Sequence, residues 1–137
     1  MAQLLHGSAN PIGGQAQVIK LRWGATGDVM KFDAAPASIK FALGENVKQS
    51  NWGDDMTIRY PQTRMGVETI IRDGFQAALE YQERKREYDR LSAAEKRKAA
   101  PPRPDYRLDA LIEIMNSERF VHAHSYVASE ILMLMQV

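Results

Sequence analysis

Three side chains in this 137-residue chain have the types and spacing to do chemistry together: Lys40 in "SIKFALGEN", and His122 and His124 in "VHAHSYVASE". A neutral imidazole is a common ligand for divalent metals, whereas a lysine ammonium has no lone pair to give. A lysine amine that has added carbon dioxide becomes a carbamate, an anionic oxygen ligand able to bridge two metal ions. The same residues also suit an ordinary sheet. A strand lysine commonly snorkels or pairs with a carboxylate. The HAH spacing is read here as sending its two imidazoles to opposite faces of a strand, so that one at most faces a given site.

The elements that must position these residues follow from the apolar period. "GSANPIGGQ", residues 7–15, is turn chemistry, rich in Gly with one Pro. "AQVIKLRWG" then reads as a strand, with Val18, Ile19, Leu21 and Trp23, ending at Gly24. "ATGDVMKFDAAP" reads as loop. Ser38 to Leu43 reads as a second strand, apolar on both faces as a covered strand should be. From Val47 the chain is polar and irregular as far as Pro61, which stands near the start of a helix.

Val67, Ile70, Ile71, Phe75, Ala78 and Leu79 fall on one helical face, which predicts a helix over about 64–90. Its far end, "YQERKREYDRLSAAEKRK", carries seven basic and four acidic residues and should project into solvent. "SAAE" within it is a capping-box pattern that predicts a short separate helix. "AAPPRPD" breaks the run, and Asp105 caps the next helix, with Leu108, Leu111, Ile112 and Met115 inward. "RFVHAH" is the third strand and "ASEILMLM" begins a final helix. Strands alternating with helical segments imply an α/β fold with parallel strands. In such folds functional groups gather at the carboxyl ends of strands, where Lys40, His122 and His124 fall.

Composition narrows the function classes. With 45% hydrophobic and 26% charged residues the chain has the balance of a globular protein. A net charge of +1 gives no field that would draw nucleic acid or an anionic membrane. The basic stretch is diluted by its acids, and only Tyr81 and Tyr88 interleave it, so nucleic acid is not expected as a partner. No cysteine is present, which excludes disulfides, thiolate metal sites and cysteine nucleophiles. The N-terminal residues show no signal-peptide pattern, and no run approaches the ~18 apolar residues that cross a bilayer.

"HGSANPIGGQAQVIKLRWG", "IKFALGEN", "RYPQTRMGVETIIRDGF" and "VHAHSYVASEILMLM" together resemble the middle of a metal-dependent amidohydrolase, in the imidazolonepropionase-like and prolidase-like branch. The resemblance runs over nearly all of the chain and is weakest across 82–104. It implies a partial (β/α)8 barrel, covering roughly strands 3 to 5, with a charged helical excursion over about 80–104. It implies one or two divalent metals, zinc first among them, held at the carboxyl face. Lys40, often carboxylated in the family, would be the bridging ligand on strand 4, and His122 a terminal ligand on strand 5. His124, Glu45 and Asn46 would be substrate contacts or supporting groups. The order agrees, since the lysine precedes the HAH.

The departures matter as much. The family's strand 1 HxH pair is missing, since His6 stands alone in "LLHGSAN". The strand 6 histidine and the strand 8 aspartate, which would pass the proton to the leaving amine, lie outside this stretch. A barrel needs about 250 residues, so the chain is expected to be an inactive fragment of an enzyme acting on an amide or dipeptide-like substrate. Its exposed barrel edges should favour oligomers. Arg59 and Arg64 suit either a substrate carboxylate or surface ion pairs. A rival class is a non-enzymatic interaction module built on the 64–98 amphipathic helix, which leaves "IKFALGEN" and "VHAHS" unexplained.

Overall fold

A computed structural model describes residues 1–48 and 59–137. Its strands are β1 (Ala2–Leu4), β2 (Ile12–Ile19), β3 (Ala37–Ala42) and β4 (Arg119–His124), hydrogen-bonded in that order into one four-stranded sheet. The helices are α1 (Gly27–Met30), α2 (Arg64–Arg90), α3 (Ala93–Lys96), α4 (Tyr106–Met115) and α5 (Ala128–Leu134), with a 3-10 turn at Gly44–Asn46.

β3 is the strand around which the core forms. Ile39 and Phe41 alternate onto the face that meets the helices, and both are buried. They join Leu43, Val67, Ile71, Ala78, Ala110 and Leu111 in one apolar cluster, with Phe75 and Val121 packed against it. α2 forms because its apolar residues recur at helical spacing, burying Val67, Ile71, Ala78 and Tyr81 along one stripe. The Thr63 hydroxyl accepts from Gly66 N at 3.0 Å and satisfies a first-turn donor. Past Tyr81 nothing in α2 is buried, so its charged half is held by helix propensity and ion pairs rather than by packing.

The capping predictions agree with the structure. Ser92 and Glu95 form a complete capping box on α3. Asp105 accepts from Arg107 N at 3.0 Å and Leu108 N at 3.3 Å to start α4. Tyr81 accepts from Asp105 N at 3.2 Å, so the two helices that cover the sheet are tied where α4 begins. The polar stretch expected from Val47 lies in part, at 49–58, outside the described residues.

Three expectations about the sheet are corrected. Among the described residues parallel pairing holds only between β3 and β4; β2 runs antiparallel to both β1 and β3. The crossover between β3 and β4 carries the helices α2 to α4, which suits a parallel return. The chain after β2 instead folds straight back on itself, through Lys20 N to Met30 O at 2.8 Å and Phe32 N to Val18 O at 3.0 Å.

The second correction concerns where β2 lies. Its predicted end, Leu21 and Trp23, is fully solvent-exposed or nearly so, and the strand starts at Ile12 inside the supposed turn segment. Glycine allows this: a Cβ at Gly13 would come within 2.6 Å of the Lys40 carbonyl oxygen, so only glycine lets β2 lie this close to β3. The third is β1, a three-residue strand that no apolar period or turn pattern foretells.

Candidate metal site on the open face of the sheet

β3 and β4 pair in parallel with Lys40 opposite His122 and Ala42 opposite His124. Register partners on neighbouring strands stand about 4.8 Å apart and share a face. Ile39, Phe41 and Val121 take the helix side. Ser38, Lys40 and Ala42 of β3, with Phe120, His122 and His124 of β4, therefore share the opposite face. The two imidazoles lie together there, and this overturns the expectation that the HAH spacing separates them. Strand side chains alternate with a period of two, so residues 122 and 124 point the same way and Ala123 points the other.

Each imidazole is met by a carboxamide. The Gln3 amide nitrogen lies 2.9 Å from His122 Nε2 and also donates to the Ser38 hydroxyl at 3.3 Å. The Asn46 amide nitrogen lies 3.0 Å from His124 Nε2. Asn46 belongs to the 3-10 turn that leaves β3, which is why it reaches the end of β4. Tyr126 meets the His124 ring edge-on, with centroids 4.8 Å apart. A cavity of about 200 Å3 opens on this face beside His122, lined by Gln3, Val18, Pro36, Ser38, Phe120 and His122.

An ion-pair network braces the carboxyl ends of both strands. Arg64, at the start of α2, donates to Glu45 at 2.6 Å and also pairs with Glu130 of α5. Glu130 is 8% exposed, and its other carboxylate oxygen accepts from the Ser125 hydroxyl at 2.8 Å. Lys48 pairs with Glu45 at 3.2 Å. Gly44 has φ +62°, a left-handed conformation that glycine adopts freely, and a Cβ there would collide with the Glu130 carboxylate. Glu45 is therefore engaged by cations of its own chain, and Arg64 takes the ion-pair role rather than standing open to a substrate. Arg59 donates to Asn10 Oδ1 at 3.1 Å and to the Ala9 carbonyl at 3.0 Å, holding the segment before β2. His6 has its Nδ1 2.8 Å from the Gly7 carbonyl and its ring against Gly13 and Gly14.

The donor chemistry fits part of a metal site. His122 offers an imidazole and Lys40, once carboxylated, an oxygen anion beside it. Among the described residues no group of three or more His, Cys, Asp or Glu side chains is placed to hold an ion. A catalytic zinc takes three protein ligands and keeps one open position, so a zinc held here would need further ligands from beyond this set.

An amidohydrolase from Thermotoga maritima superposes on 95% of this chain with a TM-score of 0.70 and 30% identity. The relationship is amidohydrolase-like. The chain spans 31% of that protein's length. No protein-family profile matches the chain, and no curated protein is significantly similar to it. Gln3 and Ser38 are not among the site residues that the sequence points to. Ser38 stood in plain view in the lysine motif, but nothing in the sequence signals a contact between residues 3 and 122.

Proposed function

We propose that this chain is a segment of a metal-dependent amidohydrolase of the (β/α)8-barrel type, contributing two of its metal ligands. The reading puts β3 and β4 at barrel strands 4 and 5, with Lys40 as a carboxylated bridging ligand and His122 as a terminal one. One observation carries it: the lysine and the first histidine of HAH are side-by-side partners on parallel strands, facing away from the helices. The structural likeness to an amidohydrolase of about three times the matched length adds support.

The bound ion, zinc by preference, would supply hydroxide at neutral pH and polarise the carbonyl of a C–N bond. The chain's own residues would hold and orient. Lys40 and His122 bind the ion, while Asn46 fixes the His124 ring beside the substrate. The Arg64, Glu45 and Glu130 network keeps the two strand ends at a fixed spacing. The substrate class is a small amide or dipeptide-like molecule, as in the imidazolonepropionase-like and prolidase-like branch. With two assigned ligands and no shuttle carboxylate assigned among the described residues, the segment alone would be inert.

A chimera tests this. Exchanging the matched segment of the Thermotoga amidohydrolase for this chain should leave hydrolysis that a chelator abolishes and zinc restores. A folded chimera whose activity is indifferent to Lys40→Ala and His122→Ala would end the proposal.

A further inference from the structure

We infer that Gln3 is a displaceable cap on His122, so that a metal ion reaching this imidazole first has to move the carboxamide supplied by β1. The inference rests on the metal reading of His122 given above. The Gln3 amide group has two N–H donors, and the geometry uses both: one reaches the Ser38 hydroxyl at 3.3 Å, the other the His122 Nε2 at 2.9 Å. An amide N–H donates only to an unprotonated ring nitrogen. His122 is thus held as the tautomer protonated on Nδ1, with the lone pair of Nε2 already engaged. Neither nitrogen is open to a cation in this arrangement.

Ser38 makes the cap more than a passing contact. It is 4% exposed, sits two residues before Lys40 on the same face, and receives the Gln3 amide while its carbonyl accepts from Arg119 Nη1 at 3.0 Å. The carboxamide is thereby anchored to β3 as it reaches across to β4. β1 is three residues long and pairs with β2 alone among the described residues, and Gln3 is exposed, so releasing the cap requires no disruption of the core. The cavity of about 200 Å3 beside it gives the displaced side chain room. His124 serves as an internal comparison, because its Nε2 is met by Asn46 from a different element.

The test is a Zn2+ titration of the 137-residue chain, followed on the ring 15N signals of its three histidines. Removing one hydrogen bond that competes with the ion should tighten Zn2+ binding at His122 by about two- to tenfold in Gln3→Ala. Ser38→Ala, which removes only the anchor, should shift binding the same way by less. Without metal, His122 in the wild type should show the Nδ1-protonated tautomer, and Gln3→Ala should convert it to a mixture. A structural role for β1 alone would not move that signature. If His122→Ala abolishes Zn2+ binding but Gln3→Ala leaves it unchanged or weaker, the cap is wrong and the metal reading stands. If the wild-type His122 is protonated on Nε2, the cap is equally wrong. If His122→Ala leaves Zn2+ binding intact, the metal reading fails and takes the cap with it.

Discussion

Lys40 and His122 are register partners on adjacent parallel strands, two residues short of the carboxyl end of each, on the sheet face turned away from the helices. They are 82 residues apart in sequence, and the helical crossover of α2 to α4 is what returns the chain to bring them together. A lysine beside an imidazole is an unhelpful pair for core packing. It is a useful one for holding a cation once the lysine amine has become a carbamate.

The isolated chain should not hydrolyse amides. With Lys40 and His122 as its proposed ligands and no shuttle carboxylate assigned among the described residues, the purified protein given zinc and a panel of small amide and dipeptide substrates should show no turnover above buffer. Metal-dependent hydrolysis by this chain would contradict the ligand count.

The Arg64 network should matter more to stability than the ion pairs of the charged helix. Arg64→Met leaves Glu130, whose side chain is 9% exposed, without its guanidinium. The expected loss is about 1–3 kcal/mol, toward the lower end because the Arg64 side chain is 40% exposed and partly screened. Arg86→Met, which removes an exposed pair with Glu83, should cost no more than about 0.5 kcal/mol. Urea unfolding compares the two, and equal midpoints would contradict the bracing role.

Asp105 should give α4 an acid-sensitive start. Its hydrogen bond from the Arg107 side chain, with the backbone N–H groups of Arg107 and Leu108, holds the carboxyl below its ordinary value of 3.8. A depressed folded pKa contributes stability that is complete above the ordinary value. That stability is lost as pH falls through the lowered one. Thermal melting followed downward from about pH 5 should therefore show a slope that Asp105→Asn reduces. An unchanged slope would mean that the cap carries no linked proton.

Much of this fold could be read from residue types, and the errors have physical causes. The α2 stripe from Val67 to Ala78, the Ser92–Glu95 box and the Asp105 cap are local patterns whose period or spacing is itself the mechanism. Leu79, expected inward, is instead half exposed, and Tyr81, expected in the solvent-facing end, is buried against α4. β2 was misplaced because Gly13 and Gly14 look like turn residues, when their missing Cβ atoms are what admit a neighbouring strand. The antiparallel pairing of β2 depends on a chain reversal between Lys20 and Met30, at a turn closed by Ala25 N to Arg22 O at 3.1 Å with Gly24 at φ +73°. The glycine marks a turn but does not say which strand the returning chain will pair with. The candidate pair of Lys40 and His122 was legible through the motifs and their order. The placement of both imidazoles on one face differs from the opposite-face expectation, because strand side chains repeat every two residues. Gln3 was illegible, because its contacts are purely tertiary.

The central claim is that Lys40 and His122 jointly hold a metal ion, and metal content tests it most directly. In the chimera with the Thermotoga amidohydrolase, purified with zinc and measured by elemental analysis, Lys40→Ala and His122→Ala should each lower the bound metal per chain well below the parent. Arg86→Ala should leave it unchanged. Full metal content in both ligand variants would contradict the account.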